Sequence, residues 1–154
     1  LINMLKLKIP PPIYMLMMAG FMWLLDRFIP VAHFISEPWN KLGVVIMFMA
    51  MFTDGLSLIQ FFRVHTSINP LHPEKANTLV TTGLYRISRN PMYLGLLLLL
   101  LGWAIFLASV LPFIVLPFFV AILTVQQIIP EEEVLEDKFG QEYCDYKQSV
   151  RRWF

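Results

Sequence analysis

The chain has 154 residues, 57% of them hydrophobic and only 15% charged, with a formal net charge of +1. A soluble domain of that length has too little interior to hide so much apolar surface, so the expectation is a single domain whose solvent is a lipid bilayer. A near-zero charge with no basic stripe argues against a nucleic-acid partner, and the lone cysteine, Cys144, rules out an internal disulfide or a cysteine-based metal site.

The first apolar segment is expected over about residues 13–34, with Asp26, Arg27 and Pro30 making its second half irregular. Lys6 and Lys8 ahead of it imitate the start of a signal peptide. Pro10, Pro11 and Pro12 break that junction and no small-x-small cleavage pattern follows, so a retained span is expected. The second segment covers 42–62 and carries one acid, Asp54. An ionisable group inside a span is costly and is by default a functional candidate; a buried polar partner such as Gln126 is the structural alternative.

A polar stretch, 63–90, follows. Residues 91–129 then contain no Lys, Arg, Asp, Glu or His. As a single helix they would reach roughly 58 Å, against a hydrocarbon core of about 30 Å. Two spans, 91–109 and 112–129, are therefore expected. Their turn is placed at "SVLP", Ser109–Pro112, because proline disfavours helix at the residue before it. The tail, 130–154, is charged and reads as helix. The whole is an all-α polytopic membrane bundle of about four transmembrane helices with a cytoplasmic C-terminal helix.

Lys6 and Lys8 precede the first span, Arg63, Lys75, Arg86 and Arg89 lie between the second and third, and Lys138, Lys147, Arg151 and Arg152 follow the fourth. Only Arg27 and Lys41 fall on the other side. The bias of Lys and Arg toward cytoplasmic loops then puts both termini and the central loop in the cytoplasm, as in a bacterial inner membrane.

The concentrated chemistry is on that side. In "TTGLYRISRNPMYLG", Asn90 suits a helix N-cap and Pro91 the first helical position. Gly95 and Gly102, seven apart on one face, let another backbone or a ligand come close. Arg86 and Arg89 sit at the positive end of the helix, which favours an anionic group; anchoring at the membrane interface needs the same residues. In "PEEEVLEDKFGQEYCDYKQSVRRWF", Pro130 followed by Glu131, Glu132 and Glu133 reads as a helix start. Those acids serve either as a solvated first turn or as ligands for a cation and for ribose hydroxyls. A helical hairpin returns the acidic patch to the side of the Arg–Tyr patch. The ligand that fits between them carries both an anionic and a cationic end.

At this point the sequence resembles a known family. "RNPMYLG", Arg89–Gly95, followed by Glu131–Glu132, is similar to the RHPxYxG…EE signature of integral-membrane methyltransferases of the isoprenylcysteine carboxyl methyltransferase and phospholipid N-methyltransferase type. The likeness runs from Thr66 to Trp153, through "EEEVLEDKFGQEYCDYKQSVRRW". It departs at Asn90, where the family has His; Asn cannot titrate near neutral pH, so a general base at this position is not expected.

The resemblance implies S-adenosylmethionine as methyl donor, with Tyr85, Arg89, Asn90, Tyr93 and Gly95 on one wall of its site and Glu131 and Glu132 on the other. It implies Arg89, Tyr146 and Arg151 near the reacting centre, with Tyr143 a further candidate and Arg151 ranked ahead of Arg152 on its match to the family ending. The implied acceptor is lipophilic, a prenylcysteine-like or other lipidic carboxylate or thiol, entering laterally from the bilayer. A phospholipid amine is the alternative, and a non-catalytic membrane protein that binds headgroups is the alternative of another class. His33, His65 and His72 lack metal-ligand spacing, so no metal is expected. Methyl transfer from a sulfonium is an in-line displacement, for which positioning supplies most of the acceleration.

Overall fold

The structure is a computed structural model, and it describes residues 7–29, 31–63 and 71–154. Lys6, Pro30, His65 and the beginning of the family-like stretch at Thr66 lie outside the described residues. The described residues form six α-helices and no sheet, so the chain is all-α as expected.

Helix α1, Pro11–Phe28, opens on the proline run. Proline belongs in a first turn, where its missing N–H has no intrahelical role. The helix stops at Phe28, short of the expected 34, because Ile29 precedes Pro30 and leaves helical geometry (φ −131, ψ 65). The chain then crosses the far end of the bundle. Phe34 N–H donates to Ala108 O at 3.0 Å and Val110 N–H to Ala32 O at 3.2 Å, pinning this segment to the next hairpin.

Helix α2, Leu42–Arg63, and helix α3, Pro91–Leu107, are the most intimate pair in the molecule. Glycine makes this possible: a Cβ on Gly43 would overlap Gly102 O and one on Gly102 would press on Gly43 O at 2.5 Å, so the two backbones touch. α3 packs on α1 as well, where Trp103 Nε1 donates to Ala19 O at 3.1 Å. Met22, Leu100, Phe119 and Leu123 form the fully buried centre. Outward, Met17, Phe48 and Phe52 remain exposed, an apolar belt of the kind a lipid environment would cover.

The α3–α4 turn sits at Ala108–Ser109, not at Ser109–Pro112. Ala108 takes a left-handed conformation (φ 64), and α4, Val110–Leu123, begins at once. Pro112 is simply absorbed in its first turn, where it breaks no hydrogen bond.

A second correction concerns the acidic tail. Pro130 does not start a helix. The helix continues from α4 through a π-helical turn, Thr124–Ile128, into α5, Ile129–Phe139. Proline removes the donor that would reach the carbonyl four residues back and its ring crowds that carbonyl; widening the turn relieves both. The freed Gln126 carbonyl accepts Leu7 N–H at 3.1 Å, and Gln127 Nε2 donates to Ile9 O at 2.7 Å. The N-terminal segment thus fastens the π turn.

Gly140 (φ 55) then reverses the chain into α6, Gln141–Ser149. Val80, Tyr85, Tyr143, Tyr146 and Val150 form a second, smaller core under the central loop. The helix over Trp39–Gln60 and the continuous rod Val110–Phe139 are each long and apolar enough to cross a membrane, and α3 is a shorter apolar helix. The charge-free part of the rod ends at Ile129; the residues from Pro130 onward stand outside it.

Candidate active site

The hairpin formed by α3 and the α4–α5 rod returns the acidic tail to the start of α3. Tyr93 Oη donates to Glu131 Oε2 at 2.9 Å. The next residue, Glu132, 5% exposed, is held by two arginines. Arg152 grips it with both arms, Nε to Oε1 at 3.0 Å and Nη2 to Oε2 at 2.8 Å. Arg89 Nη1 lies 3.1 Å from Oε1 as an ion pair. Two guanidiniums on one carboxylate leave this corner with a net positive charge.

Tyr93, Glu131, Glu132 and Arg89 border a cavity of about 460 Å³, with Arg152 behind Glu132, within the roughly 300–1,000 Å³ usual for small-molecule sites. Tyr85, Arg89, Asn90 and Tyr93 line one side and Glu131 and Glu132 the other. Tyr143 and Tyr146 of α6 close it, their rings 6.2 Å apart and edge to face. Tyr146 Oη donates to Tyr85 O at 2.7 Å, which ties α6 to the turn before α3. Pro11 of α1, Pro73 and Val80 of the central loop and Leu58 of α2 complete the walls.

The electrostatics follow from burial. Desolvation pushes the Glu131 carboxyl up to about 8, with the Tyr93 hydrogen bond opposing and the neighbouring Glu132 adding to it. Tyr143 is pushed up to about 12, first by burial and then by Glu132, with the Arg89 guanidinium opposing. Burial, followed by the nearby Tyr143, raises Tyr146 in the same way. The tyrosines are therefore neutral donors. Arg89 Nε is enclosed and, among the described residues, meets no hydrogen-bond acceptor. A buried donor of this kind calls for an acceptor from a ligand.

Three expected residues sit differently. Gly95 does not border the cavity; it faces α2, where a Cβ would overlap the Asp54 carboxylate. Arg151 turns its side chain to solvent and offers only its backbone carbonyl, to Arg89 N–H at 3.0 Å; Arg152 is the arginine that turns inward. Asn90 borders the cavity, but its side chain does not cap α3. Its Nδ2 donates to Arg152 O at 2.9 Å instead, holding the C-terminal segment.

Asp54 and Gln126 are not hydrogen-bonded to each other: Asp54 borders the cavity, and the Gln126 Oε1 is buried without a partner among the described residues. Sequence reasoning placed Tyr85, Arg89 and Asn90 of the central loop at the site but missed its earlier part, Pro73, Ala76 and Thr78 to Val80, and the α1 prolines. The only trace was the proline run itself, an unusual feature directly before a span.

The groups present fit S-adenosylmethionine. An enclosed guanidinium nitrogen without an acceptor suits its carboxylate, buried Glu131 suits its cationic groups, and the tyrosine-lined apolar walls suit its adenine.

Comparison with known proteins agrees with this chemistry. The profile of the family described as "Phospholipid methyltransferase" matches residues 39–142. A Haemophilus influenzae protein named only as uncharacterized is 48% identical over 62 residues, 40% of this chain and 98% of its own. A probable protein-S-isoprenylcysteine O-methyltransferase of Oryza sativa subsp. japonica is 28% identical over 118 residues, 75% of this chain and 62% of its own. A protein-S-isoprenylcysteine O-methyltransferase of Saccharomyces cerevisiae is 28% identical over 109 residues, 71% of this chain and 46% of its own. The chain thus spans less than two thirds of the length of these two methyltransferases, and no solved structure matches it. With two thirds of its length inside the family profile and the Arg–Tyr and Glu motifs meeting at one cavity, the chain belongs to the phospholipid methyltransferase family.

Proposed function

We propose that the protein is an integral-membrane methyltransferase that uses S-adenosylmethionine and methylates a lipophilic acceptor. The observation that carries this reading is the meeting of Arg89, Tyr93, Glu131 and Glu132 around a single cavity at one end of the α3–α4 hairpin. Bound there, S-adenosylmethionine would supply a methyl group on a positively charged sulfur.

The protein's part is to bind, orient and exclude water. Arg89, with its free Nε, receives the donor's carboxylate; Glu132 and Arg152 fix the guanidinium in place and are positioning residues. Glu131 faces the donor's positive charge, steadied by Tyr93. Tyr85, Tyr143 and Tyr146 shield the reacting region, where a water-poor environment favours the reaction of a cationic donor. Four membrane spans, with the cavity and both termini on the cytoplasmic side, accord with the Lys and Arg distribution. Lipid-embedded acceptors then reach the cavity from the bilayer. A lipidic carboxylate or thiol is supported by the names of the curated relatives, and an amine headgroup by the family description.

Calorimetry in detergent tests the donor site with S-adenosylmethionine and its demethylated product. Arg89→Ala or Glu132→Ala is expected to weaken binding by at least about tenfold, roughly 1.4 kcal/mol. Wild-type affinity in both variants would refute the site. Labelled donor incubated with membranes, followed by lipid extraction, identifies the acceptor class.

A further inference from the structure

Arg152 has no helix to hold it. The chain leaves α6 at Val150 in extended geometry (φ −127, ψ 133), and the residues after it belong to no helix. Its guanidinium is nonetheless set beside a second one, since Arg152 and Arg89 both meet the carboxylate of Glu132. Two guanidiniums repel each other, and an arginine side chain loses rotamer freedom when it is fixed. Attraction to one carboxylate does not by itself dictate this arrangement. The backbone at residue 152 has to be set by other contacts.

Those contacts come from three directions. Arg89 N–H donates to Arg151 O at 3.0 Å. Asn90 Nδ2 at 2.9 Å and Ser88 Oγ at 3.3 Å both donate to Arg152 O. Ser88, 1% exposed, also accepts Asn90 N–H at 3.1 Å, so one hydroxyl serves both segments. Beyond them, Trp153 packs against the main core and its Nε1 donates to Thr124 Oγ1 at 3.3 Å. Thr124 directs its own hydroxyl proton to Val120 O at 2.7 Å, which leaves a lone pair for Trp153. The C-terminal segment therefore bridges the two arms of the hairpin, from the start of α3 to the first residue of the π turn. Trp153 itself does not border the cavity.

Resting on the donor-site reading above, we propose that Trp153 is a positioning residue for the methyl donor's carboxylate. Its anchor on Thr124 holds the C-terminal segment across the hairpin and so fixes Arg152. Arg152 fixes Glu132, and Glu132 fixes the Arg89 guanidinium, whose enclosed Nε lacks an acceptor among the described residues. A ligand without a carboxylate makes no demand on that nitrogen. Loosening the anchor therefore weakens recognition of the carboxylate and spares the rest of the ligand.

Two ligands separate these effects. Decarboxylated S-adenosylmethionine keeps the adenosine, the sulfonium and the amine of S-adenosylmethionine and lacks only the carboxylate. Calorimetry on the full chain in detergent at pH 7 is expected to show Trp153→Ala weakening S-adenosylmethionine by about tenfold and the decarboxylated ligand by no more than about twofold. Trp153→Phe and Thr124→Val each remove the hydrogen bond and keep the packing, and each should weaken S-adenosylmethionine by about threefold. Combined, they should weaken it no further than either alone, because they break the same bond. These two milder variants carry the test if Trp153→Ala fails to fold. Equal weakening of both ligands means a general loss of structure and overturns the proposal. So does wild-type affinity for S-adenosylmethionine in every variant. A wild-type protein with no preference for the carboxylate-bearing ligand counts against the donor-site reading itself, whereas a preference that the variants keep counts against Trp153 alone.

Discussion

Tyr93 and Glu131, 38 residues apart in sequence, are joined by a 2.9 Å hydrogen bond between the first turns of α3 and α5. Burial holds the Glu131 carboxyl at about 8 against its ordinary 4.5. The folded protein therefore keeps a proton that the unfolded chain releases, and stability must fall as pH rises from about 4.5 to about 8. The unfolding midpoint of the ligand-free protein in detergent should decline across that window, and Glu131→Gln should flatten the decline. The Tyr93 bond lowers the carboxyl pKa, so Tyr93→Phe should extend the decline to higher pH. A cationic donor favours the ionised form, so its binding at pH 7 should release a proton, visible as an enthalpy that depends on the buffer. A pH-independent midpoint in the wild type would show that Glu131 is already ionised.

The two neighbouring arginines of the C-terminal segment should behave unlike each other. Arg152 makes two charge-assisted hydrogen bonds to a buried carboxylate, whereas the Arg151 side chain is in solvent. Arg152→Ala is expected to cost about 1.5–3 kcal/mol in stability, and Arg152→Lys to recover only part, since lysine cannot grip a carboxylate with a planar fork. Arg151→Ala should stay within about 0.5 kcal/mol. Chemical denaturation and donor affinity measured on the same three variants check this, and an Arg151→Ala defect as large as that of Arg152→Ala would restore Arg151 to the site.

Much of this arrangement is legible from the letters, and the exceptions have physical causes. The charge-free run 91–129 cannot be one span, so the hairpin, and with it the meeting of Arg89 with Glu132 and of Tyr93 with Glu131, follows from length alone. The α2 boundaries follow from Lys41 and Arg63 on either side of an apolar run. The hairpin turn was misplaced because proline is harmless in a first turn, so Pro112 carried no information about where the turn lay, while Ala108 in a left-handed conformation leaves no mark in sequence. Pro130 was misread for the opposite reason: it disturbs an existing helix by widening it into a π turn, and that depends on Leu7 being available to the freed carbonyl. Which arginine turns inward depends on the extended backbone at Val150 (φ −127, ψ 133), after which side chains alternate. The facing of Asp54 and Gly95 depends on the sliding register of α2 on α3, which no single-sequence pattern contains.

That register makes a coupled prediction. A Cβ on Gly95 would overlap the Asp54 carboxylate, so Gly95→Ala should destabilise by about 1–3 kcal/mol, the usual effect of overfilling a packed contact. In an Asp54→Ala background the obstruction is gone and the same substitution should be nearly neutral. A coupling of at least about 1 kcal/mol in this double-mutant cycle is expected for groups in direct contact. Gly43→Ala meets backbone, Gly102 O, rather than a side chain, so no such rescue should be available to it. Additive effects of Gly95→Ala and Asp54→Ala would place the two residues out of contact and remove Asp54 from its niche.

The four-span arrangement is open to direct measurement across α2. Its 22 residues reach roughly 33 Å at the standard rise, enough for a hydrocarbon core of about 30 Å. Lys41 stands at its start beside the exposed Trp39, an aromatic suited to the interface, and Lys75 lies beyond its end, in a turn where Lys138 Nζ donates to the neighbouring Glu74 carbonyl. In a Cys144→Ser background, Lys41→Cys and Lys75→Cys should therefore react with a membrane-impermeant maleimide from opposite sides. The Lys75 position is expected to label in inside-out bacterial vesicles and the Lys41 position in right-side-out ones. Because Lys75 shares its side with Lys138 and the cavity mouth, the same experiment fixes the face from which a soluble methyl donor enters. Labelling of both positions from one side would leave α2 lying along the membrane and remove the second span from the arrangement.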